Sequence, residues 1–283
     1  MDFQSFDEIW QSPVAKKLQK DIADKKFTYC SVDYCGIREE NQLQNKKWIS
    51  INIDESCNLK CPSCRTGLIN ITSGRQYEQK LEMANHISDL LSKYHEPCII
   101  NMSGNGDPFA SLIYRPLIIK TIPNDNHDYR MLTNGLLFEK LLKKTAIYPY
   151  ITEYNISVDA GNKATYERVR LGGKWENLVG NLRWLKQNVN KKICLNFCLQ
   201  NDNWTSLLDF ENLLKELDIW GWITPLEDWG TWDKETFQRK NVLDPEHPHN
   251  KKCLDMLARL SYEKLNFQPA LKRIIAQVDK ETV

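Results

Sequence analysis

The sequence predicts an α/β fold, in which a parallel sheet curls into a partial (βα)6 barrel of the TIM type with a small N-terminal extension and a helical C-terminal tail. Two observations predict it. Between residues 46 and 230, six short apolar runs alternate with amphipathic helical patterns, which is typical of βα units. Polar and glycine-rich residues follow the first five runs, as they do at the carboxyl ends of strands in such folds. Six units are too few to close an eight-stranded barrel, so we expect an open one.

The predicted elements alternate along the chain. Strands are expected at residues 48–53, 98–102, 129–132, 151–158, 193–199 and 220–226. Helices are expected at residues 78–94, 136–145, 175–187 and 207–217, with a short helix or turn at 112–119. In the helices apolar residues recur every three or four positions, as Leu178, Leu182 and Leu185 do.

Three parts of the chain are predicted. Residues 1–45 form the extension, with one or two short helices in residues 6–26, and residues 46–230 form the core. Residues 231–283 form the tail, whose expected helices at 256–265 and 270–278 would cap the open end of the barrel.

Charge and hydropathy exclude several classes of protein. The 38 Lys and Arg residues nearly balance the 37 Asp and Glu residues, so the chain lacks the basic footprint of a dedicated nucleic-acid binder. No apolar run approaches the roughly 20 residues that a membrane span needs. The first residues lack the basic and apolar regions of a secretory signal. We therefore expect a cytoplasmic protein with neither nucleic-acid nor membrane partners.

The nine cysteines carry the strongest chemical signal. An odd number in a chain without a secretory signal favours metal ligation over a disulfide framework. Cys57, Cys61 and Cys64 lie within eight residues, directly after the first predicted strand. Three thiolates can hold three irons of a [4Fe–4S] cluster and leave the fourth iron open. A catalytic zinc site and a chance group of structural thiols are the alternatives.

Cys-x3-Cys-x2-Cys at this position resembles the radical S-adenosylmethionine (radical SAM) superfamily. The segment after the second strand resembles the part of that family that contacts the amino group of SAM; it comprises Ser103, Gly104, Asn105, Gly106 and Asp107. Residues 155–159 and 165–175 resemble a stretch of the SPASM/twitch branch. The resemblance assigns Ser157 and Arg170 there to the carboxylate and ribose of SAM, with Asp159 beside them. Taken alone, the glycines could form an ordinary turn and Arg170 could be a solvated helix charge.

Asn134 and Gln200 follow the third and fifth strands and complete the expected SAM site. Two residues depart from the family pattern. Ser63 stands before the third cysteine, where many members have an aromatic residue near the adenine of SAM, and Asp107 stands where many relatives have Glu. A shorter carboxylate can still accept a hydrogen bond from an ammonium group.

The resemblance implies an enzyme that uses a [4Fe–4S] cluster and SAM. An electron from a flavodoxin- or ferredoxin-type reductant would cleave SAM and leave a 5′-deoxyadenosyl radical, which removes a hydrogen atom from the substrate. A peptide or protein is the first expectation for the substrate, and a sugar or other small metabolite is the alternative. The rival hypothesis from another class is a catalytically silent protein that binds zinc or an iron–sulfur cluster.

Three further features have two interpretations each. The extension resembles a truncated SPASM or twitch domain, so Cys30 and Cys35 either ligate an auxiliary iron–sulfur cluster, with Cys253 or another residue, or are vestigial. Cys198, at the carboxyl end of the fifth strand, is either a core thiol or the donor of a hydrogen atom to a substrate radical. Tryptophans gather around the sixth strand, either as core or as a substrate wall; they are Trp220, Trp222, Trp229 and Trp232.

Overall fold

Seven parallel strands form one sheet, and each strand pairs with the next one along the chain. The structure, a computed structural model, describes residues 3–29, 46–102 and 105–281. The strands are β1 (Lys47–Ile51), β2 (Cys98–Met102), β3 (His127–Thr133), β4 (Ile151–Ser157), β5 (Lys192–Leu199), β6 (Trp220–Pro225) and β7 (Leu265–Phe267). This confirms the predicted α/β class and the partial TIM-like barrel.

Helices lie before, between and after the strands. They are α1 (Phe6–Gln11), α2 (Pro13–Ala23), α3 (Gly74–Lys93), α4 (Phe138–Leu141), α5 (Lys163–Val169), α6 (Trp175–Asn188), α7 (Leu207–Leu217), α8 (Lys234–Lys240), α9 (Asn250–Leu257) and α10 (Pro269–Glu281). Each long crossover helix buries one apolar stripe, as α6 does with Leu178, Leu182 and Leu185. A single hydrophobic core therefore lies between the sheet and these helices.

The structure differs from the predicted elements at several places in the core and tail. A seventh strand, β7, begins at the end of the predicted helix 256–265, and it pairs with β6 through Gly221 and Leu265. The tail thus adds a strand to the edge of the sheet. This strand was not predicted, because its three residues are too few to show an alternating pattern. The predicted helix 136–145 is divided into α4 and a 3₁₀ turn over Leu142–Lys144. The short helix or turn predicted at 112–119 is a π-helical turn over Pro116–Lys120. Helices α5 and α8 were not predicted.

The N-terminal residues form two helices that meet at Ser12. The Ser12 side chain accepts a hydrogen bond from the Ala15 amide and caps α2, whose first residue is Pro13. Phe6 of α1 packs edge-on against Tyr94, with ring centroids 5.3 Å apart. Cys30 and Cys35 lie outside the described residues, so the auxiliary cluster and the SPASM-like remnant stay predictions. No helix in the described part of the chain combines the length and apolar character of a membrane span.

Candidate active site

A cavity of about 670 Å³ opens at the carboxyl ends of the strands. It is lined by most of the residues that the sequence singles out, namely Cys57, Cys61, Cys64, Asn105, Gly106, Asp107, Asn134, Ser157, Asp159, Arg170 and Cys198. Its size is that of a site for a cofactor or small ligand. Parallel strands end at one edge of the sheet, so residues from five separate loops meet there.

Of the described residues that were predicted for the SAM site, Gln200 is the one that does not line this cavity. Ser103 and Gly104 lie outside the described residues. Gln200 is buried, with 2% of its surface exposed, but it does not line the cavity. Its backbone amide donates to Asn203 Oδ1 at 2.8 Å, which places Gln200 in the turn beneath the site.

The cysteine loop follows β1 and is fixed by backbone hydrogen bonds. The Cys57 amide donates to the Ile69 carbonyl at 2.9 Å, and the amides of Cys64 and Arg65 both donate to the Cys61 carbonyl. Cys61 is buried, Cys57 is half-buried and Cys64 is exposed at the rim. The loop therefore presents three thiols to one cavity at graded depth.

The donor chemistry fits an iron–sulfur cluster. Thiolates are the ligands that such clusters and zinc prefer. Among the described residues, no three His, Cys, Asp or Glu side chains converge closely enough to hold a single metal ion. The three thiols line the same cavity, and three thiolates can hold three irons of a cluster. Burial raises the pKa of the Cys57 and Cys61 thiols, so these thiols would have to release protons in order to bind a metal.

Gly106 brings the loop after β2 against the cysteine loop. A Cβ atom at this position would lie 2.2 Å from the Ser56 carbonyl oxygen and 2.6 Å from the Glu55 carbonyl carbon. Only a residue without a side chain fits so close to another backbone. The contact is closed by the Asp107 amide, which donates to the Ser56 carbonyl at 2.9 Å.

Asp107 is held by the protein itself. Its Oδ2 accepts from the Thr133 hydroxyl and the Asn134 amide, each at 2.7 Å, and its Oδ1 accepts from the amides of Phe109 and Ala110. Burial raises the pKa of Asp107, and these four donors oppose that shift. Because four donors use the acceptor sites of both oxygens, Asp107 joins the β2 and β3 loops instead of offering a free carboxylate to an ammonium group.

Arg170 and Asp159 form a buried ion pair at the cavity wall. Arg170 Nη2 lies 2.7 Å from Asp159 Oδ2, and Asp159 Oδ1 accepts from the Cys198 amide at 2.8 Å. Burial alone would lower the pKa of Arg170, but the Asp159 carboxylate together with Cys61 and Tyr166 outweighs it, so that pKa is raised. Arg170 Nε is buried and has no hydrogen-bond partner among the described residues. The Nε–H of the guanidinium therefore has no acceptor among the described residues.

Cys198 stays a neutral thiol. Burial raises its pKa to about 12, and its Sγ lies 3.8 Å from the Pro225 carbonyl oxygen. Of the other thiols, Cys253 is fully buried in the core. Burial raises its pKa to about 12 as well.

Two lining residues were not singled out as ligands by the sequence. Arg65 follows Cys64 directly, and its guanidinium contacts both the cysteine loop and the β2 loop. Trp229 lines the cavity with 69% of its surface exposed, and Thr231 beside it donates to the Ser63 carbonyl at 3.4 Å. Of the tryptophans around β6, Trp229 is the one that lines this cavity. The position of Arg65 next to Cys64 could have indicated its place in the site. Its hydrogen-bond acceptors, the Glu55 and Asn105 carbonyl oxygens, are defined only by the fold.

The chain matches a known protein family. The family model described as the radical SAM superfamily matches residues 51–214, more than half of the chain. A GTP 3′,8-cyclase of Lactiplantibacillus plantarum (strain ATCC BAA-793 / NCIMB 8826 / WCFS1) is 27% identical over 210 residues, which cover 70% of this chain and 60% of that protein. The chain therefore spans less than two thirds of the length of this curated relative.

Solved structures share the fold. Streptococcus suis SuiB bound to its precursor peptide SuiA has a TM-score of 0.50 and 13% identity, and covers 90% of this chain and 62% of SuiB. TYW1 with a lysine-pyruvate adduct also has a TM-score of 0.50, with 20% identity over 87% of this chain and 90% of TYW1. With the match over residues 51–214, these findings establish that the chain belongs to the radical SAM superfamily, enzymes that use a [4Fe–4S] cluster and S-adenosylmethionine.

Proposed function

We propose that this enzyme cleaves SAM reductively at a cluster held by Cys57, Cys61 and Cys64, and that it modifies a peptide or protein by removing a hydrogen atom. The observation that supports it is the open cavity that the three thiols line together with residues from the ends of the other strands. The bound cofactors supply one electron to the sulfonium of SAM and thereby the means to break an unactivated C–H bond.

The chain's own residues bind and orient. Gly106 and Asn105 line the cavity and would bring backbone groups to the methionine end of SAM. The unpartnered Nε of Arg170 is suited to the carboxylate of SAM, because its two Nη atoms face Asp159 and Cys61. Ser157 lines the same wall and can donate its hydroxyl. Asp107 acts on SAM only indirectly, by fixing the loops that touch it.

Cys198 is the proposed hydrogen-atom donor for outcomes that restore a C–H bond. Its raised pKa keeps the S–H bond intact at neutral pH, which such a donor requires. Transfer of the hydrogen atom would leave a thiyl radical, and one electron from a flavodoxin- or ferredoxin-type reductant with one proton would return it to the thiol.

A peptide substrate is supported by the open rim of the cavity. Cys64 and Trp229 are both exposed there, so a chain segment can reach the site without passing through a closed channel. S. suis SuiB was solved with a precursor peptide, so a radical SAM fold of this kind can accommodate one. Trp229 would form the aromatic wall for such a segment.

A small metabolite is the second candidate. The L. plantarum relative is a GTP 3′,8-cyclase, and the flat ring of Trp229 could stack on a nucleobase as well as on a peptide side chain.

Deuterium tracing separates the two substrates. The reconstituted enzyme is incubated under anaerobic conditions with SAM, dithionite and either perdeuterated peptides encoded by the genes adjoining its own or deuterated nucleoside triphosphates. We expect 5′-deoxyadenosine that carries deuterium from a peptide. Deuterium acquired from the nucleotides alone would contradict the peptide proposal and favour the metabolite.

A further inference from the structure

We propose that the Arg65 guanidinium raises the reduction potential of the cluster through Cys64. Arg65 belongs to a set of three side-chain donors, one for each cysteine sulfur, and within the residues that the structure describes it is the member whose positive charge is not paired with a carboxylate. This inference rests on the proposed ligation by Cys57, Cys61 and Cys64. The role is that of a positioning and tuning residue, since Arg65 acts through a cysteine.

Each sulfur has one side-chain donor, and each donor comes from a different part of the fold. Arg65 Nη2 donates to Cys64 Sγ at 3.4 Å. Arg170 Nη1 donates to Cys61 Sγ at 3.8 Å, and Asn134 Nδ2 donates to Cys57 Sγ at 3.7 Å. Hydrogen bonds to ligand sulfurs are among the factors that set the potential of an iron–sulfur cluster.

Arg65 differs from the other two donors in its uncompensated charge. Asn134 is neutral, and the charge of Arg170 is paired with Asp159 at 2.7 Å. In the described ranges no carboxylate lies within ion-pair distance of Arg65; its remaining donors go to the carbonyl oxygens of Glu55, at 2.7 Å, and Asn105. Arg65 therefore places a full positive charge beside a thiolate ligand.

The direction of the effect follows from charge. Reduction adds one electron to the cluster, and a nearby cation stabilises the more negative state to a greater extent. The bonds from Arg65 to the Glu55 and Asn105 carbonyls hold this charge in place, since a guanidinium can bind several acceptors at fixed angles. Arg65 thus makes the cluster easier to reduce. Its position depends on the contact between the cysteine loop and the loop after β2.

A redox titration followed by electron paramagnetic resonance tests the inference without any turnover. The reconstituted wild-type enzyme, Arg65→Gln and Arg65→Lys are titrated in the absence of substrate. We expect Arg65→Gln to disfavour reduction about tenfold, which is about 59 mV for one electron. Arg65→Lys keeps the charge but not the fork of donors, so its shift should be smaller and of the same sign. Arg75→Gln, at an exposed arginine in the first turn of α3, is the control for net charge.

The outcomes separate this inference from the proposed function. If the Cys57→Ala, Cys61→Ala and Cys64→Ala variants bind as much iron as the wild-type protein, the proposed ligation is overturned. Iron-loaded Arg65→Gln with the wild-type potential would overturn the tuning role while leaving the ligation intact. If Arg65→Gln fails to retain iron, Arg65→Met takes its place, because it also removes the charge: an iron-loaded Arg65→Met with the wild-type potential would make Arg65 a structural link only.

Discussion

The close approach of Gly106 to the cysteine loop leads to a quantitative prediction for Gly106→Ala. The added Cβ would lie 2.2 Å from the Ser56 carbonyl oxygen, so the two backbones must separate by more than 1 Å to reach ordinary contact near 3.4 Å. Such overpacking costs about 1–3 kcal/mol, and loss of the bond from the Asp107 amide to Ser56 costs about 1 kcal/mol more. We therefore expect a loss of about 2–4 kcal/mol in the free energy of unfolding.

Urea unfolding of the purified variant measures this loss, and the iron content after reconstitution shows whether the cysteine loop has moved. Gly67→Ala is the matched control, because Gly67 lies in the same loop and an added Cβ would meet nothing within 4 Å. Gly106→Ala with the stability and iron content of Gly67→Ala would refute the reasoning.

Three further predictions follow from the buried charges and thiols. Asp159→Asn keeps a residue that tolerates the backbone at φ +55° but strands the Arg170 charge, so unfolding free energy should fall by about 3–5 kcal/mol; a loss below 1 kcal/mol in a denaturation curve would contradict it. In the metal-free enzyme at pH 8, iodoacetamide should label exposed Cys64 well before Cys198 and Cys253, since burial raises the pKa of both to about 12; equal labelling in a peptide map would count against this. Because those two thiols ionise more easily in the unfolded chain, stability should also fall as the pH rises from about 9 toward 12.

The alternation of apolar runs and amphipathic helices was sufficient to predict the fold class. Strand β2 and helix α7 have the predicted bounds, because each is a long, regular pattern with clear breaks on both sides. Strand β7 has three residues, too few to show a period, and its place in the sheet depends on pairing with β6. The predicted helix 256–265 was wrong, because α9 ends at Leu257 and the chain enters β7 at Leu265.

Spacing also identified which residues would meet at the site, but not how their hydrogen bonds are distributed. Cys57, Cys61 and Cys64 are close in sequence, so their place at one cavity was predictable. Asp107 was expected to face SAM, yet its four donors come from its own loop and from the loop after β3, whose position only the folded sheet defines. Arg65 could be seen beside Cys64, but its bond to Asn105 spans forty residues of sequence.

The central claim, that three thiolates hold the cluster at which SAM is cleaved, is tested most directly by one paired measurement of iron and product. The wild-type enzyme and the triple variant Cys57→Ala, Cys61→Ala, Cys64→Ala are reconstituted without oxygen, then given SAM and dithionite. The wild type should hold about four irons at this site and release 5′-deoxyadenosine, and the variant should lose those irons and release none. A variant that keeps its iron and still cleaves SAM would contradict the account.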